Sequence, residues 1–211
     1  SRFGGDEFVV FLPDIGSEAD LRATMDEVID TLGGTYVIDR HKLYISLSAG
    51  VAMARTIDAQ IEDMHIHADL ALYEAKRRDK DRWCLFEKSM DQEYVRRQRL
   101  KTDLRDAIRT HSMSLVYQPM FNPEGTRIVG AEALSRWDHP ELGPVSPAVY
   151  IPLAEEMGII SELTHSVIAQ AVKVCATWPE EMFVSINLSA HDLGDRTIVS
   201  VIADALDRNA L

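Results

Sequence analysis

Residues Gly4-Gly5-Asp6-Glu7-Phe8, preceded by Arg2 and followed at once by the apolar run Val9-Val10-Phe11-Leu12, decide how this chain is read. Two glycines with free access to positive φ allow a tight turn, and they leave no side chain between the backbone and a phosphate. Two carboxylates come next. Acids at the tip of a strand hairpin are hard oxygen ligands, suited to Mg²⁺ carrying a nucleotide triphosphate. A bare Gly-Gly-Asp would fit an ordinary hairpin with solvated acids, but the full string is rarer than that.

Downstream of the hairpin, Ser17 is placed to cap a helix over Glu18–Leu32, with Leu21, Met25, Val28, Ile29 and Leu32 on one face. Gly33-Gly34 ends it. Strands are expected over 36–38 and 44–54, a helix over 59–78 and a strand over 83–86, an order that suggests an α+β sheet layered against helices. Ser89-Met90-Asp91-Gln92 fits a capping box, and Leu100, Leu104 and Ile108 recur every four residues behind it, so a helix over 90–110 bridges two units. Its Arg96-Arg97-Gln98-Arg99 cluster reads as a solvated face, given the acids around it. Beyond His111 the pattern becomes strand 114–117, turn 122–125, strand 127–134, helices 147–156 and 162–178, strand 183–188 and a final amphipathic helix. Strands alternating with helices point to an α/β unit with a parallel sheet.

The composition sets bounds. The chain has 211 residues, is 46% apolar and carries a formal charge of −12. That length allows one large domain or two ordinary ones. The negative balance argues against a surface that wraps nucleic acid, because such binding needs phosphate neutralisation by Lys and Arg. Cys84 and Cys175 lack Cys-x-x-Cys spacing and fit two thiols in a reducing, cytoplasmic setting. No apolar run approaches the roughly 20 residues of a membrane span. Since the chain opens inside a motif, membrane attachment is expected only through an upstream region.

In the second unit the chemistry-bearing residues are Gln118, Glu132, Arg136 and Asn187, of which Gln118, Glu132 and Asn187 are placed by the pattern at strand ends. An acid inside the apolar run Gly130-Ala131-Glu132-Ala133-Leu134 must be paired or bound, and a metal is a reasonable partner. Strand ends are also where α/β barrels place their sites. Each residue alone fits a capping or hydrogen-bonding role; the three strand ends together carry more weight. His65-Ile66-His67 lacks the i, i+4 geometry of paired helical ligands, His139 and His191 read as loop residues, and Met90, Met113 and Met120 read as gap fillers.

Two resemblances follow from these motifs. Gly4 to Phe8, with Ser48-Ala49-Gly50-Val51-Ala52 and Ala68-Asp69 through Lys76, resembles the second half of the GGDEF family of diguanylate cyclases, which join two GTP molecules into cyclic di-GMP. Tyr117-Gln118-Pro119, Glu132-Ala133-Leu134 with Arg136-Trp137, His139-Pro140, Ile151-Pro152-Leu153-Ala154-Glu155 and Asn187-Leu188-Ser189 resemble the first half of the EAL family, the cyclic di-GMP phosphodiesterases. The resemblance implies a GGDEF part over 1–88 with a ferredoxin-like α+β palm, a linker helix over 89–111, and an EAL part over 112–211 that opens a (β/α)₈ TIM-type barrel.

It also implies roles. Gly4 and Gly5 would contact nucleotide, Asp6 and Glu7 would serve metal binding and activation of the attacking hydroxyl, and Lys76 and Lys80 would hold GTP phosphates. Where the family has Gly-Arg-Asn, this chain has Asp79-Lys80-Asp81; Lys lacks the bidentate fork of Arg, and the acids repel phosphate, which points to a weak or degenerate cyclase half. Glu132 and Asn187 match metal ligands, Glu132 being catalytic as well, while Gln118, Leu134 and Arg136 match contacts to cyclic di-GMP. The implied activity is hydrolysis of cyclic di-GMP to pGpG with Mg²⁺ or Mn²⁺, the GGDEF part acting as GTP-binding regulator or cyclase and the protein forming a homodimer. The family's remaining site residues lie beyond both ends of this stretch, so the stretch by itself is expected to be inactive. The rival expectation is an inactive nucleotide receptor that acts on a protein partner.

Overall fold

The glycine turn folds as a hairpin in the computed structural model, which describes residues 1–55, 60–78, 82–194 and 197–211. β1 (Arg2–Gly4) pairs antiparallel with β2 (Glu7–Phe8), and Gly5 takes φ +48° between them. Chain contacts divide the protein into two units, 1–95 and 96–211.

In the first unit α1 (Glu18–Leu32) starts where expected: Ser17 Oγ accepts from the Asp20 amide at 3.2 Å. Leu21 and Met25 are buried, whereas Leu32 at the last turn is half exposed. β3 (Gly34–Ile38) and β4 (His41–Ile45) form a hairpin, and β5 (Ala49–Val51) then runs parallel to β6 (Trp83–Leu85). The single strand expected over 44–54 is thus two strands, because its halves pair with different partners. α2 (Ile61–Arg78) packs on β5 so closely that a Cβ at Gly50 would lie 2.0 Å from the Ala68 carbonyl oxygen. Ile61 is 80% exposed because it only opens the helix.

Among the described residues this unit carries three separate strand pairs rather than one sheet. Leu21, Met25, Ala71 and Ala75 are its buried apolar side chains, while Val10, Phe11 and Tyr44 stand in solvent.

α3 (Ser89–Arg109) spans the division between the units. Ser89 lies inside the helix, with its hydroxyl 3.5 Å from Glu87 Oε2, so the expected capping box at Ser89 and Gln92 is not the device used. From Leu100 onward α3 belongs to the second core, with Leu100, Leu104, Ala107 and Ile108 buried beside Trp137, Tyr150 and Leu153. The basic cluster is also more engaged than a solvated face: Arg97 Nη2 and Lys101 Nζ donate to Glu156 at 2.6 and 2.5 Å. Burial pushes the Glu156 carboxyl up, but these two cations outweigh it and hold it below the usual range.

The second unit is built on β7 (Ser114–Phe121), β8 (Ile128–His139), β9 (Gly143–Val145), α4 (Pro147–Glu156), α5 (Ile160–Cys175), β10 (Phe183–Ile186), α6 (Ala190–Gly194) and α7 (Thr197–Arg208). The strand order is β10-β8-β7, with β9 joined to β8. The sheet is mixed, not parallel: β7 and β9 run antiparallel to β8, and β10 runs parallel to it. The link over 122–127 is too short for a parallel crossover, whereas α4 and α5 supply one between β8 and β10. β7 continues past Pro119 because it lies at the edge of this sheet, where a missing N–H is tolerated. Among the described residues no helix is long and apolar enough to cross a membrane, and Cys84 and Cys175 are free thiols.

Candidate functional site

Strand alternation gathers the second unit's candidate residues on one face. Glu132, Leu134 and Arg136 share a side of β8 by their spacing of two. Gln118 is the cross-strand partner of Glu132 and falls on the same side. In the parallel ladder Ser185 is opposite Glu132, so Asn187, two residues on and just past the end of β10, joins them. Asn187 Nδ2 donates to Glu132 Oε1 at 2.7 Å.

Two placements differ from expectation. Glu132 and Gln118 are inside their strands, not at the ends, because β8 runs on to pair with β9 and β7 runs on past Pro119.

The opposite side of the sheet faces α4 and α5. Ala131, Ala133 and Trp137 are buried there, and Ser135 shares a 2.8 Å hydrogen bond with Tyr150 on α4. That bond explains a hydroxyl where packing alone would favour an apolar side chain. Glu132 is half-buried, and Gln118 and Asn187 are exposed, so the site face is open. Arg136 donates from Nη1 to the Ser135 carbonyl at 2.8 Å, which restrains its guanidinium at the edge of this face.

The donor set fits a hard divalent cation. A carboxylate and an amide within hydrogen-bond distance are oxygen ligands of the kind Mg²⁺ and Mn²⁺ take, and a half-turn of the Asn187 amide exchanges its N–H for its carbonyl oxygen. Among the described residues no group of three or more His, Cys, Asp and Glu side chains converges on one point. Two ligands suit Mg²⁺, which keeps waters and substrate phosphate in the rest of its shell.

In the first unit the hairpin holds Gly4, Gly5, Asp6 and Glu7 together, and both acids are exposed. Arg2 fixes the turn by donating from Nε and Nη2 to the Gly5 carbonyl at 3.0 and 2.7 Å. Lys76 projects into solvent from the end of α2. Lys80 lies outside the described residues, as do Asp79 and Asp81. His65 is 3.2 Å from Asp69, and His67 stacks on Phe86 at 3.9 Å; both are packing roles, as expected.

Two residues escaped the sequence reading. His139 is buried at the end of β8, not in a loop: its Nε2 meets Asp103 of α3 at 2.8 Å, and Nδ1 accepts the Glu141 and Leu142 amides at 3.1 Å each. Asp192 is 1% exposed. Its Oδ2 accepts from the Ser189 amide at 2.9 Å, Ser189 Oγ at 2.7 Å and Thr164 Oγ1 at 2.7 Å. The Ser189-x-x-Asp192 capping box was the available signal. His191, also read as a loop residue, lies in α6.

Burial pushes the Asp192 carboxyl up, but the hydroxyls of Ser161, Ser189 and Thr164 and the Ser189 amide more than offset it and lower it to about 2. A depressed carboxylate contributes stability that is present above its unfolded value, 3.8, and lost as pH falls toward 2. The contribution is about 2 kcal/mol. Urea unfolding at pH 6 and pH 3 should therefore show a larger acid loss for wild type than for Asp192→Asn. Equal losses would contradict the buried-anion assignment.

The second unit is thus a mixed α/β sheet backed by helices, with a carboxylate and an amide facing each other on its open side. The chain belongs to the EAL domain family, whose model matches residues 101–211, and carries ahead of it a diguanylate cyclase GGDEF domain match over residues 1–82. It is 31% identical over 215 residues to the bifunctional diguanylate cyclase/cyclic di-GMP phosphodiesterase MucR of Pseudomonas aeruginosa, covering all of this chain and 31% of that protein. It is 32% identical over 209 residues to the cyclic di-GMP phosphodiesterase PdeR of Escherichia coli, covering 98% of this chain and 31% of PdeR. The solved complex of the PaMucR phosphodiesterase with c-di-GMP superposes with a TM-score of 0.50 at 33% identity, over 54% of this chain and 47% of that one. The chain therefore spans about a third of the length of these curated relatives.

Proposed function

We propose that the protein to which this chain belongs turns over cyclic di-GMP, hydrolysing it to pGpG at the EAL domain with Mg²⁺ or Mn²⁺. The carrying observation is the contact between Glu132 and Asn187 on the open sheet face shared with Gln118, Leu134 and Arg136. Similarity to MucR and PdeR supplies the substrate class.

Glu132 and Asn187 would hold the cation, with Glu132 the catalytic ligand, and Arg136 would take a phosphate oxygen as a charge-assisted donor. Gln118 and Leu134 would line the nucleotide. The cation, when bound, lowers the pKa of water and stabilises charge on the phosphorus. Water oxygen bonds to phosphorus as the bond from phosphorus to the ribose 3′-oxygen breaks; that oxygen takes the proton, leaving linear pGpG.

In the GGDEF domain Gly4, Gly5, Asp6, Glu7, Lys76 and Lys80 would face GTP, with the domain serving as regulator or cyclase. The domain limits are 1–88 and 112–211, joined by a helix over 89–111, and the sheet of the second unit forms part of a (β/α)₈ barrel. The protein would act as a homodimer in the cytoplasm.

Incubating full-length protein with cyclic di-GMP and Mg²⁺ or Mn²⁺ should yield pGpG, and a chelator should stop it. No product with either metal would refute the phosphodiesterase reading and favour a receptor.

A further inference from the structure

We infer that Asp192 is a positioning residue for the cation site: through Ser189 and Thr164 it sets the strand-end loop so that the Asn187 amide meets Glu132. The inference rests on the reading of Glu132 and Asn187 as cation ligands.

Asn187 is the first residue beyond β10, where ladder hydrogen bonds no longer hold the backbone. Two residues later Ser189 is held through both its amide and its hydroxyl by one carboxylate oxygen of Asp192. Ser189 Oγ in turn accepts the Asp192 amide at 3.2 Å, so the two residues cap each other. A capping box would need nothing more. Here Thr164 of α5 also donates to Asp192 Oδ2 at 2.7 Å, and the carboxylate is almost fully buried.

α5 packs on the sheet through Ile168 and Val172, in a cluster that Ile186, the last residue of β10, joins. The loop bearing Asn187 is therefore tied to the backing helix at one end by the packing of Ile186 and at the other by a buried anion. Without that anion Ser189 loses the hold on its amide and the tie to α5, keeping only its bonds from the Leu193 and Asp192 amides of α6, and the side chain of Asn187 can leave Glu132. Groups that orient metal ligands from outside the ligand shell typically change metal affinity about 10- to 100-fold when removed.

The test is Mn²⁺ binding to the full-length protein, read by electron paramagnetic resonance of free Mn²⁺ and without any substrate. Asp192→Asn should raise the Mn²⁺ dissociation constant about 10-fold or more, and Thr164→Val, which removes the tie to α5 together with a bond to the Ile160 carbonyl inside that helix, should raise it by a smaller factor. Leu104→Ala is the control: it opens the core of the same unit from α3 without removing any bond to Asp192, and should lower Tm while leaving Mn²⁺ affinity within about twofold. If Asp192→Asn fails to fold, Thr164→Val alone decides.

Unchanged Mn²⁺ affinity in whichever tie variants fold, or an equal loss in Leu104→Ala, overturns the positioning role while leaving the cation site standing. If wild type binds Mn²⁺ no better than Glu132→Ala, the cation-site reading itself fails, and the inference with it.

Discussion

Glu132→Gln in the full-length protein is expected to lose cyclic di-GMP hydrolysis by at least about 100-fold in kcat/KM, a floor set by what losing a group outside the ligand shell already costs. Gln matches Glu in shape, and its Oε1 can still accept the Asn187 N–H that now reaches Glu132 at 2.7 Å. The sheet is not disturbed: Glu132 is only half-buried, and its ladder partners Gln118 and Ser185 pair through backbone. Tm should therefore stay close to wild type while pGpG production collapses. What disappears is the negative charge that a hard cation requires. Undiminished pGpG formation by this variant would remove Glu132 from the mechanism, whatever the wild type does.

The largest stability effect is expected at Gly50. A Cβ there would lie 2.0 Å from the Ala68 carbonyl oxygen, 2.1 Å from the Leu72 nitrogen and 2.6 Å from its Cα. All three are backbone atoms of α2, so no side-chain rotation relieves the clash and the helix must move off β5. Overpacking in a core usually costs about 1–3 kcal/mol, and a clash with backbone belongs at or above the top of that range. Gly50→Ala should thus destabilise the first unit by about 3 kcal/mol. This unit has little to spare, because its buried apolar side chains among the described residues are Leu21, Met25, Ala71 and Ala75. Hydrogen exchange at β5 and β6 should accelerate in the variant while the amides of β8 keep wild-type protection. Unaltered protection at Val51 and Leu85 would show that α2 can shift without loss.

Some contiguous chemistry is readable in the sequence: the hairpin at Gly4 to Phe8 and the Ser17 cap depend on neighbours within a few residues. Glu132 and Asn187 stand out in the sequence as candidate site residues by type and motif, and both fall on the open face. Strand limits were less readable. The pattern alone ends one strand before Pro119 and another at Leu134, because nothing local marks β7 as an edge strand or shows that β9 extends the ladder of β8. The direction of the sheet was misjudged for a related reason: alternation of strands and helices reports connection type only when each connection is long enough to cross over.

His139 and Asp192 mark the limit of the linear sequence. Each is polar, and each is buried by partners from other elements: Asp103 lies 36 residues before His139, and Thr164 lies 28 residues before Asp192. A histidine before proline or an acid after serine looks solvated until the partner is known, since burial is a property of packing and not of type. The amino-acid sequence by itself determined which side chains could bind a phosphodiester and a cation, because those are properties of the residues and their motifs. Only the tertiary structure decided that Glu132 and Asn187, 55 residues apart, meet within 2.7 Å, because that contact depends on parallel register between β8 and β10 and on the two helices that carry the chain across between them.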